Sequence, residues 1–178
     1  AYDIIVTSEI NGEDTLSFKI PYRDGKRGYI DSEKKIQIVD DVYKIRTVTD
    51  TRDTDGSAVT EVYAEAEFYD LTFSVRKEER TFEAEYPETA MAYALEGTEW
   101  SVGTVTVRTK RTWTSTEKNA LSILRNTADL HGGDLVFDCP NRLVHLLTVN
   151  GRDSGALFAY RKNMKSIQRV VDTRELVT

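Results

Sequence analysis

"VTEVYAEAEFY", residues 59–69, alternates: Val62, Ala64, Ala66 and Phe68 fall on one side of an extended chain, and Glu61, Glu65 and Glu67 on the other. A period of two marks a strand with one buried face, so this stretch predicts a sheet with a core beneath it and an acidic stripe outside. It is one of a series. Leu16, Phe18, Ile20 and Tyr22 share a side of a second strand, with Thr15, Ser17 and Lys19 opposite, and further strands are expected near residues 2–8, 34–40 and 42–50. The Asp-, Thr- and Gly-rich "DTRDTDGSA" at 50–58 predicts a hairpin connection, and "RDGKRG" at 23–28 another turn. Together these make a small antiparallel β-barrel or sandwich of roughly 80 residues.

After "VRKEER" (75–80) the pattern changes. Pro87 opens a short helix in "PETAMAYALEG", with Met91, Ala94 and Leu95 on one face and Gly97 suited to its C-terminal cap. A strand from Trp100 to Arg108 follows, and then "TSTEKNALSILRNTADLHGG" (114–133), one clear amphipathic helix. Thr114 and Glu117 have capping-box spacing, Ala120, Leu121, Leu124 and Ala128 form the apolar stripe, and Gly132 ends it. "DLVFD" and "RLVHLLTV" then read as two strands joined by "CPN", an antiparallel pair for the helix to cover. The expected fold is α+β, mostly β: a barrel over residues 1–80, an α+β unit over 81–160, and a further extended segment over 161–178. The chain starts on a strand pattern and stops inside another, "KSIQRVVDTRELVT", from which we expect a piece of a longer protein.

Composition narrows the function. The 178 residues carry a net charge of −6, with Lys+Arg 12 against Asp+Glu 22 in residues 1–96 and 12 against 8 in residues 97–178. Such a chain lacks the one-faced basic footprint of a dedicated nucleic-acid binder. Cys139 is the only cysteine, so neither an internal disulfide nor a thiolate metal cluster can be built within one chain. No stretch approaches the roughly 20 apolar residues of a membrane helix, and no basic-then-apolar leader opens the chain, so no membrane anchor is expected.

Catalytic residue types are sparse. His131 and His145 are the only histidines. The first falls in the last turn of a helix, where the dipole favours a partly positive imidazole; the second alternates with Val144 and Leu146 in a strand. Neither sits at a metal-ligand spacing, and no G-x-S-x-G elbow or Cys–His signature is present. No cofactor and no catalytic or metal residue is assigned. "DTDGS" (53–57) resembles part of an EF-hand loop but has Thr51 and Val62 where the first and last ligands belong, so a hairpin turn is the better reading; a loop cation site from Asp50, Asp53 and Asp55 is the alternative. In "VRTKRTW", Arg108, Lys110 and Arg111 alternate with Thr109 and Trp113. A protein interface fits this run better than single-stranded nucleic acid, because one short stretch has no second basic surface to extend it.

Three stretches together, "LEGTEWSVG" (95–103), "SILRNTADLHGGDLVFD" (122–138) and "YRKNMKSIQRVVDTRELVT" (160–178), resemble the N-terminal region of phage and prophage tail proteins known as prophage endopeptidase tail, tail-associated lysin or minor structural protein. "INGEDTLSFKIPY" and "YKIRTVTDT" fit the same family's opening barrel. Members are similar in fold to the central hub of contractile-tail baseplates, where two small barrels from each of three subunits form a ring that continues the tail tube; by that resemblance residues 161–178 would start the second barrel. The resemblance implies a structural protein of the virion tail tip, assembled in the host cytoplasm, self-associating as a trimer and touching the distal tail protein and tail tube. DNA would pass its lumen without specific binding, past a wall to which Glu61, Glu65 and Glu67 contribute by repelling phosphate. Lytic activity in such proteins belongs to a domain further along, so none is expected here. Two alternatives stand beside this reading: part of a cell-wall hydrolase whose catalytic domain lies elsewhere, and a host-glycan adhesion module using Trp100, Trp113 and Tyr160. Trp100 itself reads as a structural anchor where helix meets strand.

Overall fold

The computed structural model describes residues 1–149 except 39, 40, 53, 55, 77, 117 and 118. The segment expected to start a second barrel (161–178), Tyr160, Glu117 and the loop residues Asp53 and Asp55 therefore lie outside the described residues.

The chain is α+β and predominantly β. Its first part is a five-stranded antiparallel sheet built from β1 (Tyr2–Ser8), β2 (Asp14–Pro21), β3 (Lys35–Ile38), β4 (Asp41–Arg52) and β5 (Ala58–Ala66), in the spatial order β1-β2-β5-β4-β3. The sheet curls into a half-barrel, with β1 and β3 as its edges. The period-two residues do as their spacing dictates: Leu16, Ile20, Tyr43, Ile45, Val62, Ala64 and Ala66 are buried on one face. In register, Leu16 opposes Ala64, and Ala64 opposes Ile45, so one apolar row crosses three strands.

β5 departs from the expected strand at its end. The alternation in "AEAEFYD" runs on to Tyr69, but the backbone leaves the sheet after Ala66 and winds through a 3-10 segment, Glu67–Phe73. A three-residue period puts Phe68 and Leu71 on one side, and Glu67 at the start of the segment is buried beside them. Glu67 is therefore not on the outer stripe. It is 5% exposed and held in ion pairs.

The second part holds β6 (Arg80–Glu85), α1 (Pro87–Leu95), β7 (Ser101–Val105), β8 (Arg111–Ser115), α2 (Ala120–His131), β9 (Asp134–Asp138) and β10 (Leu143–Leu147). β7, β10 and β9 form a three-stranded sheet, β7 parallel and β9 antiparallel to the central β10. β6 and β8 form a separate antiparallel ribbon that the sequence pattern did not predict. The expected strand from Trp100 to Arg108 is shorter, ending at Val105. α2 starts later than its capping-box spacing suggested: Thr114 belongs to β8, and the helix is capped by Asn119, whose side chain accepts a hydrogen bond from the Ser122 amide at 2.9 Å. α1 begins at Pro87 and ends before Gly97, whose φ of +72° is one that glycine adopts without strain. The last carbonyls of α1 are closed by Arg76, which donates to Tyr93 O at 3.1 Å, to Ala94 O at 2.7 Å and also to Glu96 O.

One apolar cluster runs through both parts, from Leu16 and Ile45 through Phe68 and Leu71 to Leu124, Val144 and Leu146. The 3-10 segment joins them, lying between β4 and α2.

Candidate functional site

Two regions carry the chain's polar chemistry: the outer face of the half-barrel, and the seam where the first sheet meets the second part. On the outer face, Glu61 and Glu65 project from β5 beside cations on neighbouring strands. Lys19 Nζ lies 3.2 Å from Glu61 and 3.7 Å from Asp3; Arg46 Nε lies 3.0 Å from Glu65, and its other nitrogens reach Asp70 at 2.6 Å and Glu33 at 3.6 Å. Lys44 adds contacts to Glu33 at 2.6 Å and Asp70 at 3.3 Å. The pairs of Lys19 and of Arg46 with Glu65 run between strands, and those to Asp70 and Glu33 tie the sheet to the 3-10 segment and to the loop before β3, so the stripe is a mixed polar surface with its acids compensated locally. Burial pushes the Asp70 carboxyl up, and the hydrogen bonds from Arg46 and Lys44 outweigh it, leaving the group below its ordinary value.

At one end of the sheet, Arg27 forks onto Asp50, Nε at 3.2 Å and Nη2 at 2.8 Å, while Thr60 donates to the same carboxylate at 2.6 Å. The Arg27 bond, then that of Thr60, holds Asp50 below its usual value. Asp50 is thus engaged by a guanidinium. Among the described residues, no group of three or more His, Cys, Asp or Glu could hold a metal ion.

The seam includes residues that no sequence pattern singles out, Asn11, Arg125 and Arg142. Asn11 sits at φ +58° in the turn between β1 and β2, a conformation asparagine tolerates. Its Nδ2 donates to Gly133 O at 3.0 Å, and its Oδ1 accepts from Leu135 N at 2.6 Å. The side-chain amide thereby pairs with the start of β9 as a strand residue would. Arg125 of α2 donates to Gly12 O at 2.8 Å and lies over the Tyr69 ring. On the other side of the seam, Glu67 receives Lys35 Nζ of β3 at 2.5 Å and Arg142 Nη2, from the β9–β10 turn, at 2.8 Å. Between these polar clasps, Phe68 stacks on Phe137 with centroids 4.0 Å apart, and Trp100 meets the edge of Phe137 at 6.1 Å. Trp100 is 5% exposed and is roofed by the Arg142 guanidinium. Cys139 is half-buried beside this seam, and burial, with Glu67 nearby, pushes its thiol up to about 11, the opposite of a reactive thiolate.

The basic run is used locally. Arg108 pairs with Glu88 of α1, Lys110 lies over the Tyr86 ring, and Arg111 donates to Leu130 O at the end of α2, 3.1 Å away. Trp113 is half-buried and packs on Phe82. His131 lies in the last turn of α2, as its position suggested, and is buried there: its Nδ1 lies 2.9 Å from Thr109 O, and the Thr109 hydroxyl donates to His131 O at 2.8 Å. His145 fills the register shift of the β7–β10 pair, where its Nδ1 accepts from Thr104 N at 2.8 Å.

The chain is thus a curled half-barrel clasped to an α+β unit, with the side chains described above engaged in packing and ion pairing. Residues 1–66 match the Prophage endopeptidase tail N-terminal domain and residues 74–146 the Prophage endopeptidase tail domain. The chain belongs to this prophage endopeptidase tail family. Its fold is similar to that of prophage tail protein gp18 from Listeria monocytogenes EGD-e (TM-score 0.73, 13% identity, 93% of this chain and 52% of that one). It is also similar to the 43 kDa tail protein of prophage MuSo2 from Shewanella oneidensis (0.59, 12%, 86% and 50%). A tail protein from Neisseria meningitidis MC58 follows (0.53, 12%, 82% and 44%). The chain spans about half the length of these structures. No curated protein matches it.

Proposed function

We propose that this chain is a non-catalytic structural part of the hub at the virion tail tip, joining the tail tube to the host-facing tip. In the complete protein three copies form a ring that meets the distal tail protein on one side, with DNA passing through without specific contacts. The observation that carries this reading is the succession of two tail domains on one chain, the first of them a sheet whose two edge strands have no further strand partner among the described residues. β1, an edge strand, exposes Ile4, Ile5 and Val6, and an apolar open edge in a native protein is a surface that something else covers. Glu61 and Glu65 are the members of the acidic stripe on the outer face, and we assign them to the lumen side. Glu67 has no part in it.

Light scattering on the complete protein tests the ring. Three copies support it, and a monomer at micromolar concentration overturns it. For the lumen assignment, Glu61→Lys with Glu65→Lys in an assembled particle should slow DNA release while the trimer persists. Unchanged release in such particles would place the two glutamates elsewhere.

A further inference from the structure

The seam contains one bond with chemistry of its own. Asn11 is followed by Gly12, and an asparagine before glycine is the sequence at which a backbone nitrogen most readily attacks a side-chain amide, because glycine has no Cβ to block the approach. The geometry points to Asn11 as a deamidation site that docking of the β1–β2 turn on the second part keeps closed. In the reaction, Gly12 N attacks Asn11 Cγ; a new C–N bond closes a succinimide ring, and the side-chain nitrogen leaves as ammonia with the proton from the attacking amide. Water then opens the ring at either carbonyl to give aspartate or isoaspartate. Solvent is the only co-reactant.

Three observations hold the reactant in place. The attacking nitrogen is engaged, Gly12 N donating to Glu9 O at 3.1 Å. Both ends of the Asn11 amide are fixed by Gly133 O and Leu135 N, so Cγ cannot rotate towards Gly12 N without breaking two hydrogen bonds. Arg125 holds the Gly12 carbonyl from the other side. Reaction must wait for the turn to lift off β9.

The product cannot return. An aspartate at position 11 has no N–H to give Gly133 O and sets an anionic oxygen against that carbonyl, while isoaspartate lengthens the main chain inside a tight turn. Deamidation thus converts a transient opening of the seam into a permanent one, and the amount of acid at position 11 records how long the seam has been open.

The N-terminal tryptic peptide, Ala1–Lys19, contains Asn11 as its sole side-chain amide, which makes the mass change unambiguous. Folded protein and protein in urea would be incubated in the same mildly alkaline buffer and digested rapidly, and the acid form of the peptide quantified over time. We expect the folded chain to convert at least about tenfold more slowly, because reaction waits for local opening. Arg125→Ala should speed conversion in the folded state, and Asn11→Asp should melt below the parent. Equal rates in buffer and urea overturn the inference, as does an Asn11→Asp protein that melts with the parent. If circular dichroism shows Arg125→Ala to be unfolded, the comparison of parent protein in buffer and urea decides alone.

Discussion

At the residue scale, the fit of single side chains decides the outcome, and position 103 is the sharpest case. A Cβ at Gly103 would come within 2.6 Å of His145 Cε1 and 2.7 Å of Nδ1, so the ring that satisfies Thr104 N occupies the space a side chain would need. Gly103→Ala should destabilise the chain by about 1–3 kcal/mol. In Gly103→Ala/His145→Ala the clash is gone, so the two costs should fail to add; urea melts of the four proteins measure the coupling. Trp100→Ala removes a ring packed on Phe137 and should cost about 3–5 kcal/mol. Unchanged melting of that variant would mean Trp100 is not in the core. Trp100 was readable from its setting between a helix stop and a valine strand. Gly103 and His145 were not, because nothing in either local pattern says that they meet.

The alternation of β2, β4 and β5 and the apolar stripe of α2 could be read directly, since each follows from its element's own period. Element ends were harder. β5 gives way to a 3-10 turn within an unbroken run of alternating residues, and no glycine or proline marks the change; what draws Glu67 inward is Arg142, 75 residues away. Arg142→Ala removes a charge-assisted hydrogen bond from the buried Glu67 and leaves it paired with Lys35 alone, so the variant should be destabilised by about 1.5–3 kcal/mol at neutral pH, measured by chemical denaturation. Glu67→Gln/Arg142→Met should recover part of that loss. β8 stayed hidden for a related reason. "RTWTS" lies against a capping-box spacing that competes with it locally, and its partner β6 is separated from it by α1 and β7. Asn119→Ala should lower stability by about 1 kcal/mol, with Thr114→Ala showing no helix-cap effect in the same thermal melt.

For the whole molecule, ion pairs across the half-barrel should contribute to the acid sensitivity of the fold. Asp50 and Asp70 are both held below the ordinary carboxylate value. The unfolded chain therefore takes up protons at higher pH than the folded one, and the stability these groups contribute is present above about pH 4 and lost as pH falls through their lowered values. An acid titration followed by circular dichroism should show it, and Asp50→Asn/Asp70→Asn should flatten the fall below about pH 4. A parallel loss in the double variant would assign acid sensitivity to other groups. The family was legible from three quoted stretches read in order, whereas the seam that unites the molecule was not. Asn11, Arg125 and Arg142 come from turns and the polar side of a helix, where no periodicity singles out a residue, while alternation put Glu67 on the outer stripe although the 3-10 segment turns it inward.

The Asn11 clasp also bears on how the chain is made. Its partners lie 122 and 124 residues further along, so on a ribosome the five-stranded sheet is complete long before Gly133 and Leu135 exist. Until then the Phe68 face is uncovered, and non-local closure of this kind slows folding and lengthens exposure to aggregation. Synthesis that stalls between the two parts would release a sheet with a sticky underside and a loose hook. The hook cannot engage before Leu135 exists, so its engagement reports that the chain has been translated at least as far as the β9 strand.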